Sequence, residues 1–265
     1  MAGVVRVGIG GWNFEPWDSS FYPEKLAKAR QLDFASRQLA VIEVNSTYYS
    51  SQKPATFAKW ASSVPDGFVF SLKASRFCTN RKKLADSAES VGKFLKQGIV
   101  ELGDRLGPIL WQFMPTKKFE AEDFEAFLQL LPEKQDGLPL RHAVEVRHIS
   151  FLTPTFVALA RQYGVAIVLA DHADYPLIAD VTGDFVYLRL QKGEDHNPKC
   201  YPEPELPVWG KRIAALASGG TAPGLPHLDD ERAPDVPRDA YVFFITGGKV
   251  NAPAGAMALQ AMLSP

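Results

Sequence analysis

Short apolar runs rich in Val, Ile, Leu and Phe recur along this chain, and a helix-like stretch follows each of them. Residues 4–9, 41–45, 68–73, 108–113, 142–147, 165–170, 184–190 and 240–246 predict eight strands. Helical pattern follows over 24–38, 54–63, 83–102, 121–131, 153–163, 207–217 and 253–262, with a shorter segment over 173–179. Pro54 suits the first turn of its helix, where a missing N–H costs little, and Thr153 with Pro154 suits another helix start. Eight such repeats predict an α/β chain folded as a TIM-like (β/α)8 barrel, a single domain over residues 1–265. A doubly wound open sheet rarely needs eight repeats, and Gly8-Ile9-Gly10-Gly11 lacks the full dinucleotide-binding spacing. Residues 218–238, loaded with Gly, Pro and acids, read as a mobile excursion on the side leading into strand eight, away from the chemistry of such a barrel.

Alternation within the strands says more. Val41, Glu43 and Asn45 share one parity, as do Val69, Ser71 and Lys73; Ala143, Glu145 and Arg147; and Phe185, Tyr187, Arg189 and Gln191. The opposite parity in those strands is entirely aliphatic or aromatic. Both faces of a barrel strand are covered, so the polar parity points into the barrel, with Arg6 and Gln112 as further members. Charges there are costly unless paired. Glu43 and Glu145 balance two of Arg6, Lys73, Arg147 and Arg189, and the surplus of about two cations points to an anionic ligand at the C-terminal mouth.

Composition sets outer limits. The chain has 265 residues, 46% of them hydrophobic, with 29 Lys and Arg against 30 Asp and Glu, a net charge of -1. Bulk positive charge is therefore not available to hold nucleic acid, although a local basic pocket is. Cys78 and Cys200 form no CxxC or zinc pattern and fit reduced thiols in a cytoplasmic protein. No run approaches the length of a membrane span, and the chain begins without a signal-peptide pattern, so no membrane partner is expected.

Lys73 and Glu145 are the candidate catalytic groups. A partly desolvated lysine at a strand end, near arginines, can act as base or as Schiff-base nucleophile. Glu145 can act as general base or metal ligand, but Arg147 two positions on offers it an ion pair. A glycosidase-like pairing of Glu43 with Glu145 conflicts with the surrounding cations. No HxH or HExxH occurs among His142, His148, His172, His196 and His227, so no cofactor is predicted. A divalent metal would have to assemble from separate strands, for example on Glu145, Asp171 and His172. The clusters Arg81-Lys82-Lys83 and Lys117-Lys118 read as solvated faces near the mouth that could guide a polyanion. The aromatic residues Trp12, Phe14, Trp17, Phe21, Tyr22, Tyr48 and Tyr49 could stack on bases or sugars, or plug the barrel end.

Several of these segments carry a family likeness. Gly8-Ile9-Gly10-Gly11-Trp12 with Trp17 and Phe21-Tyr22-Pro23 resembles the opening of the YecE-like family, domain-of-unknown-function family 72. Val41-Ile42-Glu43-Val44-Asn45-Ser46-Thr47-Tyr48-Tyr49 resembles that family's E-x-N-S-T-F-Y segment, and Phe68 to Lys73 its F-x-F-x-x-K strand. Leu106-Gly107-Pro108-Ile109-Leu110-Trp111-Gln112, Glu145-Val146-Arg147-His148 and Tyr187-Leu188-Arg189 follow in the family's order. The resemblance implies a TIM-barrel-like fold, and a site drawn from Trp12, Glu43, Asn45, Tyr48, Lys73, Gln112, Glu145, Arg147, His148 and Arg189. It implies no established reaction, and the barrel is similar to those of metal-dependent endonucleases and sugar isomerases. Two places depart from the family pattern: Gln191-Lys192, where His is usual, and Phe244-Ile245-Thr246, where Phe-Asn-Asn is common. The expectation is an enzyme or binding protein for a small phosphorylated or otherwise anionic ligand, clamped by Arg147 and Arg189 and oriented by Asn45 and Gln112. The alternatives are a nucleic-acid-binding protein and a metal-dependent phosphodiesterase or endonuclease-like hydrolase.

Overall fold

The computed structural model describes residues 2–263. Eight parallel strands close into a barrel: β1 (Val5–Gly10), β2 (Val41–Val44), β3 (Val69–Lys73), β4 (Leu106–Gln112), β5 (His142–Glu145), β6 (Ala166–Asp171), β7 (Phe185–Leu190) and β8 (Asp239–Phe244). Each pairs with its sequence neighbours, and β8 closes the ring on β1 with Val5 opposite Ala240 and Ile9 opposite Phe244. All eight predicted strands are present within a residue or two of their expected bounds.

The parity assignment is reproduced in the packing. Val41, Val69, Leu110, Ala143, Ala166, Val168, Ala170, Phe185, Tyr187, Tyr241, Phe243 and Ile245 form one buried cluster inside the barrel. The other parity joins the larger cluster shared with the helices, including Ile42, Phe70, Leu72, Val144 and Leu188. Aromatic rings fill the interior, with Tyr187 and Phe243 at 4.8 Å between centroids. A cylinder filled by side chains has no through-channel, so polar residues above this plug face the C-terminal mouth.

Helices cover the outside as the pattern predicts, although the first predicted one starts only at Lys28, as a 3-10 turn running into Gln31–Gln38, and three larger differences occur. The stretch over 83–102 is a 3-10 turn (Leu84–Ser87), a helix (Ala88–Leu95) and a second 3-10 segment (Ile99–Arg105). It breaks at Gly98, whose φ is 106° and whose missing Cβ leaves room for Pro54, 2.6 Å from where a Cβ would stand. No helix forms over 173–179, because Pro176 removes a donor in the middle of so short a segment. Residues 221–233 cover that side instead, with Ala179 N–H donating to Pro226 O and the Asp180 carboxylate accepting from the N–H groups of Leu228 and Asp229. The expected excursion over 218–238 thus has no helix or strand but is fastened to the core. Arg161 pairs with Asp229 at 2.7 Å, and the Arg238 guanidinium donates to Gly220 O and Pro234 O. Third, a small hairpin (Lys134–Gln135 with Leu138–Pro139) turns on Asp136 and Gly137, both at positive φ. An Asp-Gly pair is the residue chemistry such a turn requires.

Among the described residues no helix is long and apolar enough to cross a membrane. Cys78 and Cys200 are both free and buried.

Above Arg6, the inner face of β1 carries the glycines Gly8 and Gly10 where other strands carry side chains. A Cβ on Gly8 would lie 1.7 Å from Val41 O, inside the β1–β2 contact. Gly8→Ala is therefore expected to destabilise the barrel by about 3 kcal/mol or more, read as a lower urea midpoint.

Candidate functional site

The site begins with one arginine. Arg189, on the inner face of β7, is 2% exposed, and its neighbours across the barrel are two fully buried glutamates. Its Nε and Nη2 donate to the two carboxylate oxygens of Glu43 on β2, at 3.0 and 3.1 Å. Its Nη1 donates to Glu145 Oε2 on β5. The remaining lone pairs are also engaged. Tyr187 OH donates to Glu43 Oε2 at 2.8 Å and meets Ser71 Oγ at 2.9 Å. Gln112 Nε2 donates to Glu145 Oε2 at 3.2 Å, and Arg147 Nε donates to Glu145 Oε1 at 2.7 Å. Burial alone would raise the Glu145 carboxyl, but Arg189 and Arg147, with the Gln112 amide, hold it well below the usual carboxylate range.

Above this layer lies a cavity of about 610 Å³ at the C-terminal ends of the strands. Lys73, Gln112, Arg147 and Arg189 line its base; Trp12, Asn45, Tyr48 and Tyr49 line one wall. The short helical turn Ser46–Tyr49 is positioned by Thr47, whose hydroxyl donates to Lys73 O at 2.7 Å and ties the turn to the end of β3. That turn sets the Tyr48 ring 4.3 Å from Lys73 Nζ, and Asn80 Nδ2 donates to Tyr48 OH. Burial, reinforced by Arg189, lowers the Lys73 ammonium to about 8, against the opposing pull of Glu43 and Glu145.

Seven of the ten expected site residues meet in this cavity: Trp12, Asn45, Tyr48, Lys73, Gln112, Arg147 and Arg189. Glu43 and Glu145 lie beneath it, sealed by their arginine partners. His148 does not line it; its Nδ1 accepts from Ser150 N and caps the turn Ile149–Phe151. The Glu43–Glu145 pair shares one guanidinium, so it does not form the acid and base of a glycosidase. The metal set does not assemble either: Asp171 is held by Lys192 and Tyr201, His172 stacks on Tyr175, and among the described residues no three ligand side chains are placed to hold a metal ion.

Two charges differ from expectation. Arg6 is interior but at the far end of the barrel, 3.7 Å from Asp239 and over the Tyr241 ring, so it adds nothing to the mouth. Lys117 is buried, paired with Asp123 at 2.6 Å and donating to Lys82 O, so of the Lys117-Lys118 pair only Lys118 is exposed. In their place the structure supplies Lys249, in the loop after β8, with Nζ 4.3 Å from the Phe14 ring centroid. Trp17 is a plug rather than a stacking platform: it is buried, and its indole N–H donates to Lys249 O at 2.9 Å. Lys249 could have been found by noting that Gly247-Gly248-Lys249 follows the last strand and so must lie at the mouth. Thr246 also lines the cavity, at φ 67°, a conformation costly for a β-branched residue and easier for asparagine.

Four cations therefore border the cavity or its base, against the two carboxylates below, and the expected surplus of two survives with different members.

Removing the central guanidinium tests this layer. Arg189→Met should cost about 3–5 kcal/mol near neutral pH, because two buried carboxylates lose their shared partner. A proton can replace the lost cation, so the folded variant binds protons more tightly than its unfolded chain and is destabilised as pH rises. Unfolding of both proteins should show the deficit shrinking from pH 8 to pH 5. In the parent, the contribution of Glu145 instead persists down to the ordinary glutamate range of about 4.3 and fades below it.

Comparison with known proteins places these features in a family. The profile described as "Protein of unknown function DUF72" matches residues 6–265. The UPF0759 protein YunF of Bacillus subtilis (strain 168) is 25% identical over 158 residues, 58% of this chain and 54% of YunF, so the match spans about half that relative's length. Among solved structures, the DUF72 family protein TM1631 of Thermotoga maritima MSB8 superposes with a TM-score of 0.75 at 24% identity, covering 98% of this chain and 99% of that one. The DUF72 family protein EF0366 of Enterococcus faecalis V583 gives 0.69 at 18% identity, covering 98% of each chain. At these identities the structural likeness concerns the fold.

Proposed function

The chain belongs to the DUF72 family, proteins of unknown function, and from that premise we propose that it binds a small anionic ligand, phosphorylated or carboxylated, in the cavity at the barrel mouth. One observation carries this reading. Lys73 and Lys249 both face the cavity, and among the described residues neither has a carboxylate within ion-pair distance. Arg147 supports it, because Glu145 takes only its Nε and leaves the two outer nitrogens of the fork unengaged by any acid. Arg189, with every nitrogen committed to glutamate, is the buttress of the site and not its clamp. The anion then meets Arg147 and Lys249, with Lys73 contributing charge from the base and Asn45 and Gln112 offering amides for orientation.

Cations backed by aromatic rings and a sealed floor suit an anion that sheds water on entering. Free, buried cysteines fit a cytoplasmic setting for this role. A proton-transfer function fits Lys73 better than Glu145, since Glu145 is fully buried and held ionised by two arginines.

Titration calorimetry with inorganic phosphate tests the reading. Binding should be measurable in the parent, and Arg147→Met combined with Lys249→Met should weaken it by about tenfold to a hundredfold, the scale of lost charge-assisted hydrogen bonds. Unchanged affinity in the double variant would remove the clamp.

The pH dependence has a definite sign. Lys73 loses its charge as pH rises through about 8, so phosphate affinity should fall between pH 7 and pH 9 in the parent. In Lys73→Met, whose base lacks the titrating amine, that decline should flatten.

A further inference from the structure

We infer that Lys73 is an amine nucleophile that forms an imine with the carbonyl carbon of an anionic aldehyde or ketone held in the mouth cavity. The inference deepens the anion-binding reading and rests on it for the class of ligand.

The geometry separates this lysine from an ordinary ion-pair lysine. It stands at the C-terminal end of β3, 8% exposed, with its side chain on the inner face and bordering the cavity. Its nearest glutamates are already taken: Glu43 is gripped on both oxygens by Arg189, and Glu145 is shared by Arg189, Arg147 and Gln112. No carboxylate among the described residues is left to lock Nζ as an ammonium. The face of Tyr48 lies 4.3 Å away, which favours a cation without taking up a donor. The same face can stabilise the positive iminium that an imine becomes on protonation. Arg147 at the base and Lys249 in the loop after β8 also line the cavity, where they can hold the anionic end of a ligand whose carbonyl reaches Nζ.

An amine in this setting loses its proton more readily than a surface lysine, because burial and Arg189 both disfavour the charged form. The neutral Nζ lone pair adds to the carbonyl carbon, a C–N bond forms, and the C=O π electrons move to oxygen. A proton passes from nitrogen to that oxygen to give a carbinolamine. A second proton, from solvent in the open cavity, converts the hydroxyl to water. The C–O bond breaks, the nitrogen lone pair forms C=N, and a protonated imine remains with one water released. No electrons are gained or lost.

Pyridoxal 5′-phosphate, used as a phosphate-bearing aldehyde probe, tests this on the full chain. At a limiting amount of probe, followed by borohydride reduction and peptide mapping, the adduct is expected mainly on Lys73. Its mass gain should equal that of the probe less one oxygen atom. Labelling should rise from pH 7 to pH 9 and fall when inorganic phosphate is present in excess. Lys73→Arg, which keeps the charge and whose folding is checked by thermal unfolding, should lose the adduct. Label spread over exposed lysines such as Lys25 and Lys59, with Lys73 unmodified, would overturn the inference. The phosphate titration separates the two ideas: if phosphate binds but Lys73 stays unlabelled, the imine falls and the anion site stands. If Lys73 is labelled without any phosphate binding, the nucleophile stands and the anion site falls.

Discussion

A single guanidinium joins three strands that are distant in sequence. Arg189 on β7 reaches Glu43 on β2 and Glu145 on β5, and all three groups are shut away from solvent. Each glutamate alone would be costly to bury as a carboxylate, and Arg189 alone would be costly as a cation. Together they form a layer across the barrel whose register must be right for any member to be tolerated. Stability is a weak reason for such a triad, because buried ion pairs seldom outperform apolar groups of equal volume that pack well. Its presence is better understood through what it does to the groups above it.

That effect is electrostatic and geometric at once. By engaging both glutamates, with Arg147 supplying the second positive charge, Arg189 leaves Lys73 beside two acids that are already neutralised. Burial first, and then Arg189 itself, pushes the Lys73 ammonium down against the opposing pull of the glutamates. Arg147 is held differently, by one nitrogen to Glu145 and by its flat face 4.5 Å from the Tyr175 ring centroid, so its outer nitrogens stay available. The floor therefore fixes which cations are closed and which are open. The aromatic first loop does the corresponding work on the opposite wall, where Trp17 grips the backbone of Lys249 and Phe14 lies under its ammonium.

The fold was legible because period-two alternation and eight repeated strand signals are local properties of the chain. The inward parity of Glu43, Ser71, Lys73, Glu145 and Arg189 was legible for the same reason: strand side chains must alternate, and a barrel interior is one side. What could not be read is height along the barrel axis. Arg6 and Arg189 share the interior, but Arg6 enters near the start of β1 and pairs with Asp239 at the far end. Partner choice was equally hidden. Nothing in the spacing of Lys117 says that Asp123 will fold back onto it, and nothing in Arg147-His148 says that the histidine will turn away to cap a short helix. The absent sixth helix had a readable cause in Pro176, whereas the cover supplied by residues 221–233 is a long-range contact with no local signature.

The two departures from the family pattern lie at the ends of β7 and β8; Thr246 borders the cavity and Gln191 is buried, so their physical consequences differ. Thr246 occupies a left-handed backbone position where asparagine is the easier residue, so this chain keeps the turn after β8 against a local cost. Keeping it holds the loop that carries Lys249, which is further fastened by Val250 N–H to Asp195 and by the Asn251 amide to Asp195 O and Asn197 O. At Gln191 a buried side-chain amide nitrogen has no hydrogen-bond partner, beside a backbone N–H that donates to Asp171 O. The loop after β8 is thus held despite strain, while the position after β7 carries an unmet donor. Of the two, only Thr246 borders the cavity, so the departure that shapes the mouth is the one that sets where the Lys249 loop leaves β8.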